Sequence, residues 1–338
     1  MTTEVIVEQP LAQLSPLVVP IGVVPVLHTQ TASLLEDVHP LSRAAQGSKM
    51  NWPTLVFVAL FHVGAVASFF FFSWSALAVA AITWFVAINL GICLGYHRLL
   101  THRGYRTSRP LTYFLAVCGT LALEGSPLYW VVNHRIHHQL TDKHGDPHTP
   151  EDGAWWSHAG WVIHGEGLSA QPELLQKYAP DLLKDPFLVL LSKYHYVPLI
   201  VLAVALFAAG GVPWLFWGIF LRVTLGLHSV WFVNSATHIW GSRRFATKDE
   251  SRNLWWVALL TGGEGWHNNH HAFPVSARHG FAWYEFDLNY YVLWTLCKLG
   301  LVRHINLARP LHEKSGLNEK RPRYMGAVKS TNQNPVKH

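Results

Sequence analysis

The chain has 338 residues, half of them hydrophobic and only 14% charged, a balance that points toward a membrane protein. Its 26 Lys and Arg against 20 Asp and Glu give a formal charge of +6, which suits anionic lipid, a phosphate-bearing substrate or nucleic acid without choosing among them. Cys93, Cys118 and Cys297 lie far apart with no CxxC pair, which argues against a disulfide framework or a thiolate zinc site.

In chain order, residues 1–48 read as a loose N-terminal arm. Pro16, Pro20 and Pro25 break its apolar stretch, and no basic region followed by a cleavage site marks a signal peptide. Residues 54–72 and 76–96 each approach the roughly 20 residues that a helix needs to cross a bilayer, and read as a transmembrane hairpin. A second pair, 196–211 and 214–232, is broken by Gly210-Gly-Val-Pro213 and weakened by Arg222 and His228. Both connecting turns lack charge, whereas the central segment carries Arg98, Arg103, Arg106, Arg109, Arg135 and Lys143. The positive-inside rule therefore places both termini, the central segment and the C-terminal third on the cytoplasmic side. The expected fold is an all-α integral membrane domain over 49–315, with four transmembrane helices in two hairpins. A helical cytoplasmic cap, 97–185 and 233–315, covers them, and 316–338 reads as a disordered basic tail.

Nine of the 22 histidines form four short patterns beside the spans or in the cap. They are His97-Arg-Leu-Leu-Thr-His102, His134-Arg-Ile-His137-His138, Asn234-Ser-Ala-Thr-His238 and His267-Asn-Asn-His270-His271. Positions i, i+3 and i+4 share one side of a helix, so each HxxHH is expected to aim three imidazoles at one point. His97 and His102 stand about 140° apart on a helix and need a bend to converge. Nine nitrogens are too many for one ion and about right for two, while imidazole suits zinc, copper, iron and nickel alike. His28, His39, His62, His158, His164, His195, His304, His312 and His338 read as ordinary loop, interface or tail residues; His144, His148, His228 and His279 stay undecided.

From about Leu90 to Asn306 the chain resembles the membrane fatty acyl desaturases of the stearoyl-CoA and bacterial or cyanobacterial delta-9 type. The resemblance rests on GYHRLLTHR at 95–103, WVVNHRIHHQLTDKHGDPH at 130–148, WFVNSATHIWG at 231–241 and GGEGWHNNHHAFP at 262–274. It implies two irons held by the nine histidines, with Asn234 reaching a metal through a water. It also implies dioxygen as co-substrate and an acyl tail in a bent tunnel whose wall includes Trp130 and Trp231. Phe85 and Asn89, two to three turns before His97, are expected to close the tunnel end, and Asn89 reads equally as a helix-to-helix hydrogen bond.

Carboxylates are expected to orient the outer ring nitrogens, with Asp142, Asp146 and Glu264 as candidates. Each could otherwise be a turn, cap or surface residue. Removing hydrogen from an unactivated methylene needs a metal and dioxygen, and no haem, flavin or ferredoxin motif appears, so a separate cytochrome b5-like or ferredoxin-like donor is expected. The acyl carrier could be CoA, acyl carrier protein or membrane lipid, with Arg98, Arg103 and Arg135 as possible phosphate contacts; no nucleic-acid partner is expected. The setting implied is a bacterial cytoplasmic membrane. The rival reading is a hydroxylase or alkane monooxygenase with the same metal site, against which the HxxxxH spacing and the NxxxH element weigh.

Overall fold

The computed structural model describes residues 39–165, 171–308 and 324–325. Leu41 onward forms one compact unit; of the preceding one, Met1–Pro40, only His39 and Pro40 are described. Three helical runs are long and apolar enough to cross a membrane, Trp52–Phe71, Trp74–Thr101 and Val197–Ile239. Helix α1, Trp52–Ser68, starts where the Asn51 side chain accepts the Thr54 N–H and Pro53 occupies the first turn. Its Val63 is 67% and nearby Phe70 84% exposed, an apolar surface of the kind a bilayer covers.

Helix α2, Trp74–Thr101, is capped by Ser73 and widens into π-type winding from Phe85. Its 28 residues reach about 40 Å, longer than a hydrocarbon core of about 30 Å, which leaves length for its last turns beyond such a layer. Those turns are buried in protein instead, against helix α3, Arg109–Thr120. The crossing is close because Gly91 and Gly95 face it. A Cβ on Gly91 would sit 2.4 Å from the Gly119 nitrogen.

The 43-residue run from Val197 is not straight. Gly211 leaves helical geometry at φ 63°, ψ −154°, two residues before Pro213, inside helix α5, Val197–Leu215. A Cβ on Gly218 would lie 2.6 Å from Leu206 Cδ1, whereas twelve residues of unbroken helix would separate the two by about 18 Å. The chain therefore doubles back into wide turns at Phe216–Leu221 and helix α6, Arg222–Asn234. Thr224 donates to Phe61 O at 3.1 Å and Ser68 to Phe216 O at 3.0 Å, tying α6 and its approach to α1. Arg222, whose partner the sequence left open, is buried and donates to the carbonyls of Gly218 and Leu121.

The cap is built from α4 (Pro127–Leu140), α7 (Trp255–Thr261), α8 (His267–Ala272) and α9 (Leu288–Lys298). It is not purely helical. Strand β1, Tyr105–Thr107, pairs antiparallel with β2, Val302–Ile305, tying the turn after α2 to the C-terminal side of the cap. The expected loose arm to residue 48 contains a one-turn helix, Arg43–Gln46, capped by Ser42, with Leu41 buried beside it. Within the expected tail Tyr324–Met325 pairs with Leu307–Ala308; the rest of both segments lies outside the described residues. Arg98 is no phosphate contact. It is 1% exposed and bonds Glu264 and Asp287, the latter with two nitrogens at 3.0 and 3.1 Å, locking α2 to the cap.

Candidate metal centre

The end of α2, helices α4 and α8, and the short helix Ala236–Ile239 bring all nine sequence-predicted histidines together as two sets. One holds His97, His102, His134, His138 and His270; the other holds His137, His238, His267 and His271. In the first, successive Nε2 atoms stand 3.1 Å (His97 to His270), 3.0 Å (His270 to His138), 3.1 Å (His138 to His134) and 3.2 Å (His134 to His102) apart. In the second, His238 and His267 Nε2 are 3.1 Å apart.

Each HxxHH box is therefore split rather than aimed at one point. Residues i and i+4 go to one set and i+3 to the other: His134 and His138 against His137, and His267 and His271 against His270. At 100° per residue, i+3 and i+4 lie about 100° apart, on either side of i, so one helix cannot point all three at one centre. The two boxes divide in opposite senses, and each helix serves both sets.

Four carboxylates fix ring tautomers. Glu264 meets His97 Nδ1 at 2.8 Å, Asp146 meets His137 Nδ1 at 2.9 Å, Asp142 meets His238 Nδ1 at 3.1 Å and Asp249 meets His271 Nδ1 at 3.2 Å. An ionised carboxylate only accepts, so each Nδ1 carries the hydrogen and each Nε2 presents a bare lone pair to its set. Despite its burial, Glu264 is held well below the usual carboxylate range, mainly by Arg98, and Asp249 is held low by its hydrogen bond from His271. Asp146 is raised by burial.

Burial, with the neighbouring imidazoles second, pushes His102, His134, His138, His267 and His270 well below the usual histidine value; His137 is lowered likewise. These rings are neutral at pH 7. His137 Nε2 and His271 Nε2 are buried with no hydrogen-bond partner. Bare lone pairs about 3 Å apart repel unless a cation lies between them. Two nitrogens at right angles around a metal at about 2.1 Å would themselves stand about 3.0 Å apart. The donor set thus fits two imidazole-ligated transition-metal ions.

The candidates Asp142, Asp146 and Glu264 each meet a ring of the two sets; Asp249, 22 residues before His271, was not among them, and no spacing rule links the two. Asn234 closes α6 one turn before His238, and its amide makes no hydrogen bond among the described residues. Trp130 stacks on His134, with ring centroids 4.9 Å apart. Trp231 lines a cavity of about 540 Å³ between spans and cap, with Leu123, Leu128, Val162 and Leu227. That cavity also receives Glu124, whose Oε1 is buried without a partner and whose carboxyl is raised well above its usual range by burial.

Phe85 and Asn89 do not line this cavity. Asn89 donates to Asn289 Oδ1 at 2.9 Å, the helix-to-helix bond that was the alternative reading. Among the undecided histidines, His148 and His279 flank the sets, with rings 4.4 Å from His137 and 4.5 Å from His270, whereas His144 is exposed. His228 bridges His62 and His158, each at 2.9 Å, away from both sets.

Comparison with known proteins agrees in one direction. The family model described as fatty acid desaturase matches residues 72–306. The sn-2 palmitoyl-lipid 9-desaturase of Nostoc sp. (strain 36) is 43% identical over 78% of this chain and 92% of its own. The sn-1 stearoyl-lipid 9-desaturase of Anabaena variabilis is 44% identical over 77% and 95%. The acyl-CoA 5-desaturase AL21 of Anemone leveillei is 38% identical over 77% and 81%, so relatives at this distance differ in carrier and in double-bond position.

Proposed function

The chain belongs to the fatty acid desaturase family, whose members are oxidoreductases, and on that premise we propose that it inserts a cis double bond at the delta-9 position of a saturated acyl chain carried on a membrane lipid. The observation that carries the reading is the division of nine imidazoles into sets of five and four. The sets suit two irons, which the nine histidines would hold, and Asn234 would reach one of them through a water. Two bound irons with dioxygen and two external electrons supply the oxidant for an unactivated C–H bond, a step beyond any side chain. Overall, the acyl chain loses two hydrogens while dioxygen takes up two electrons and two protons, giving a double bond and two waters.

The chain's own residues orient and exclude. Glu264, Asp142, Asp146 and Asp249 hold the imidazoles in the ligating tautomer. The cavity takes the acyl chain, with Trp231 in its wall, and Trp130, stacked on His134, marks the reacting end. Depth in the cavity selects the carbons, since ångström misplacement costs large factors in rate. Four spans, the folded-back run counting as two, and a cytoplasmic placement of the cap and both termini in a bacterial membrane complete the reading. A separate cytochrome b5-like or ferredoxin-like protein delivers the electrons.

Lipid analysis of a host lacking its own delta-9 activity tests the proposal. Expression is expected to yield cis-9 monounsaturated chains on glycerolipid. A hydroxylated product without a new double bond would support the monooxygenase reading instead, and a double bond at carbon 5 or 7 would overturn the regiochemistry alone.

A further inference from the structure

Just beyond His102 the cap edge holds a second group of charged side chains that the metal centre does not use. A cleft of about 560 Å³ is lined by Arg103, Arg106, Thr112, His304 and Asn306 over a floor that includes Tyr105. Strand pairing sets Arg106 directly opposite Arg303. Like charges facing one another across an antiparallel pair repel. Neither guanidinium has a hydrogen bond or ion pair among the described residues. Arg103 has one contact, Asp181 at 2.7 Å, and shares that carboxylate with Arg135. Tyr105 and Thr107 spend their hydroxyl hydrogens on the carbonyls of Leu94 and Leu301, so the uncommitted donors here are cationic.

Backbone geometry marks the same place. Among the described residues four non-glycines have positive φ, and two of them, Arg103 at 52° and His304 at 46°, line this cleft. Arg103 ends α2 where glycine or asparagine is the usual choice, and His304 sits at the register shift of the β1–β2 ribbon, where glycine would be cheaper. The other two are Leu123, which lines the acyl-sized cavity, and Asp142, which holds His238. Strain of this sort persists where a side chain is needed in a set direction.

The cleft also lies at a definite level. With α2 about 40 Å long, its end reaches the headgroup layer of a bilayer whose full thickness is about 40–45 Å. Arg103 is two residues past that end, and Leu299 and Leu301, 68% and 51% exposed, adjoin β2. We propose that Arg103, Arg106 and His304, which line the cleft, together with Arg303 opposite Arg106 on the ribbon, bind the phosphate of an anionic glycerophospholipid headgroup. Guanidinium forks suit phosphate oxygens, and a bound anion removes the repulsion between Arg106 and Arg303. This site is independent of which acyl chain is desaturated.

Thermal unfolding of the full chain in neutral detergent tests it, with phosphatidylglycerol, phosphatidylcholine or inorganic phosphate added. Phosphatidylglycerol is expected to raise the midpoint of the wild type by about 3 °C or more. The Arg106→Gln/Arg303→Gln chain is expected to melt no lower than the wild type without lipid, because the repulsion is gone, and to lose most of that rise. Arg106→Lys, which keeps the charge but not the fork, retains part of it. An equal rise in wild type and double variant would overturn the site, as would no rise at all. An equal rise with phosphatidylcholine would overturn the anionic preference, and one with inorganic phosphate alone would overturn the lipid assignment.

Discussion

Asp249 shows how much of the centre depends on residues that do not ligate. Its carboxylate holds the Nδ1 hydrogen of His271 and accepts from Ser251, so the His271 lone pair has one direction available. Asp249→Ala is expected to lower iron affinity ten- to a hundredfold, measured by iron competition with a chelator; unchanged affinity would show that His271 needs no support. The buried rings also set a pH dependence. His102, His134, His137, His138, His267 and His270 have folded values below the unfolded value of about 6.5. The unfolded chain therefore binds more protons, and stability falls as pH drops below about 6.5. Each ring adds to this loss, so metal-stripped protein is expected to melt lower at pH 5.5 than at pH 7.5. A flat profile would mean that these rings are not buried neutral. The nine histidines were legible because their spacing is local; Asp249 was not, because its partner His271 lies 22 residues away, and Glu124 was not, because the cavity it lines exists only in the folded chain.

Among the elements, α4 and α8 divide their histidines for a geometric reason. The sequence marked the nine rings but read each box as aimed at one point; the 100° step between i+3 and i+4 on a single helix divides each box between two sets. Helix α2 depends on small residues for its fit. Gly91 and Gly95 bring α3 close enough that a Cβ on Gly91 would meet the Cys118–Gly119 peptide, which is backbone and cannot swing aside. Gly91→Ala is expected to destabilise the chain by about 1–3 kcal/mol, read as a lower melting midpoint in detergent, while Ala87→Gly, one turn away, lacks that clash. An unchanged midpoint for Gly91→Ala would mean that α2 and α3 separate without penalty. Asn89 read equally as a tunnel residue and as a helix-to-helix hydrogen bond, and its hydrogen-bond partner, Asn289, is 200 residues away in sequence.

At the scale of the whole molecule, the long apolar runs positioned the chemistry. Helix α2 is longer than a hydrocarbon core is thick and carries His97 and Arg98 into the cap, and the doubled-back run ends beside Asn234 and His238. Hydropathy made these runs legible, including the break before Pro213. The ribbon between β1 and β2 was not foreseeable, since three- and four-residue strands 194 or more residues apart leave no local pattern. All of this converges on a centre with room for two ions, and the metal content of the full chain, purified from iron-replete cells, tests that most directly. The account predicts two irons per chain without haem absorbance. One metal per chain, or zinc in place of iron in an enzyme that still desaturates, would contradict it.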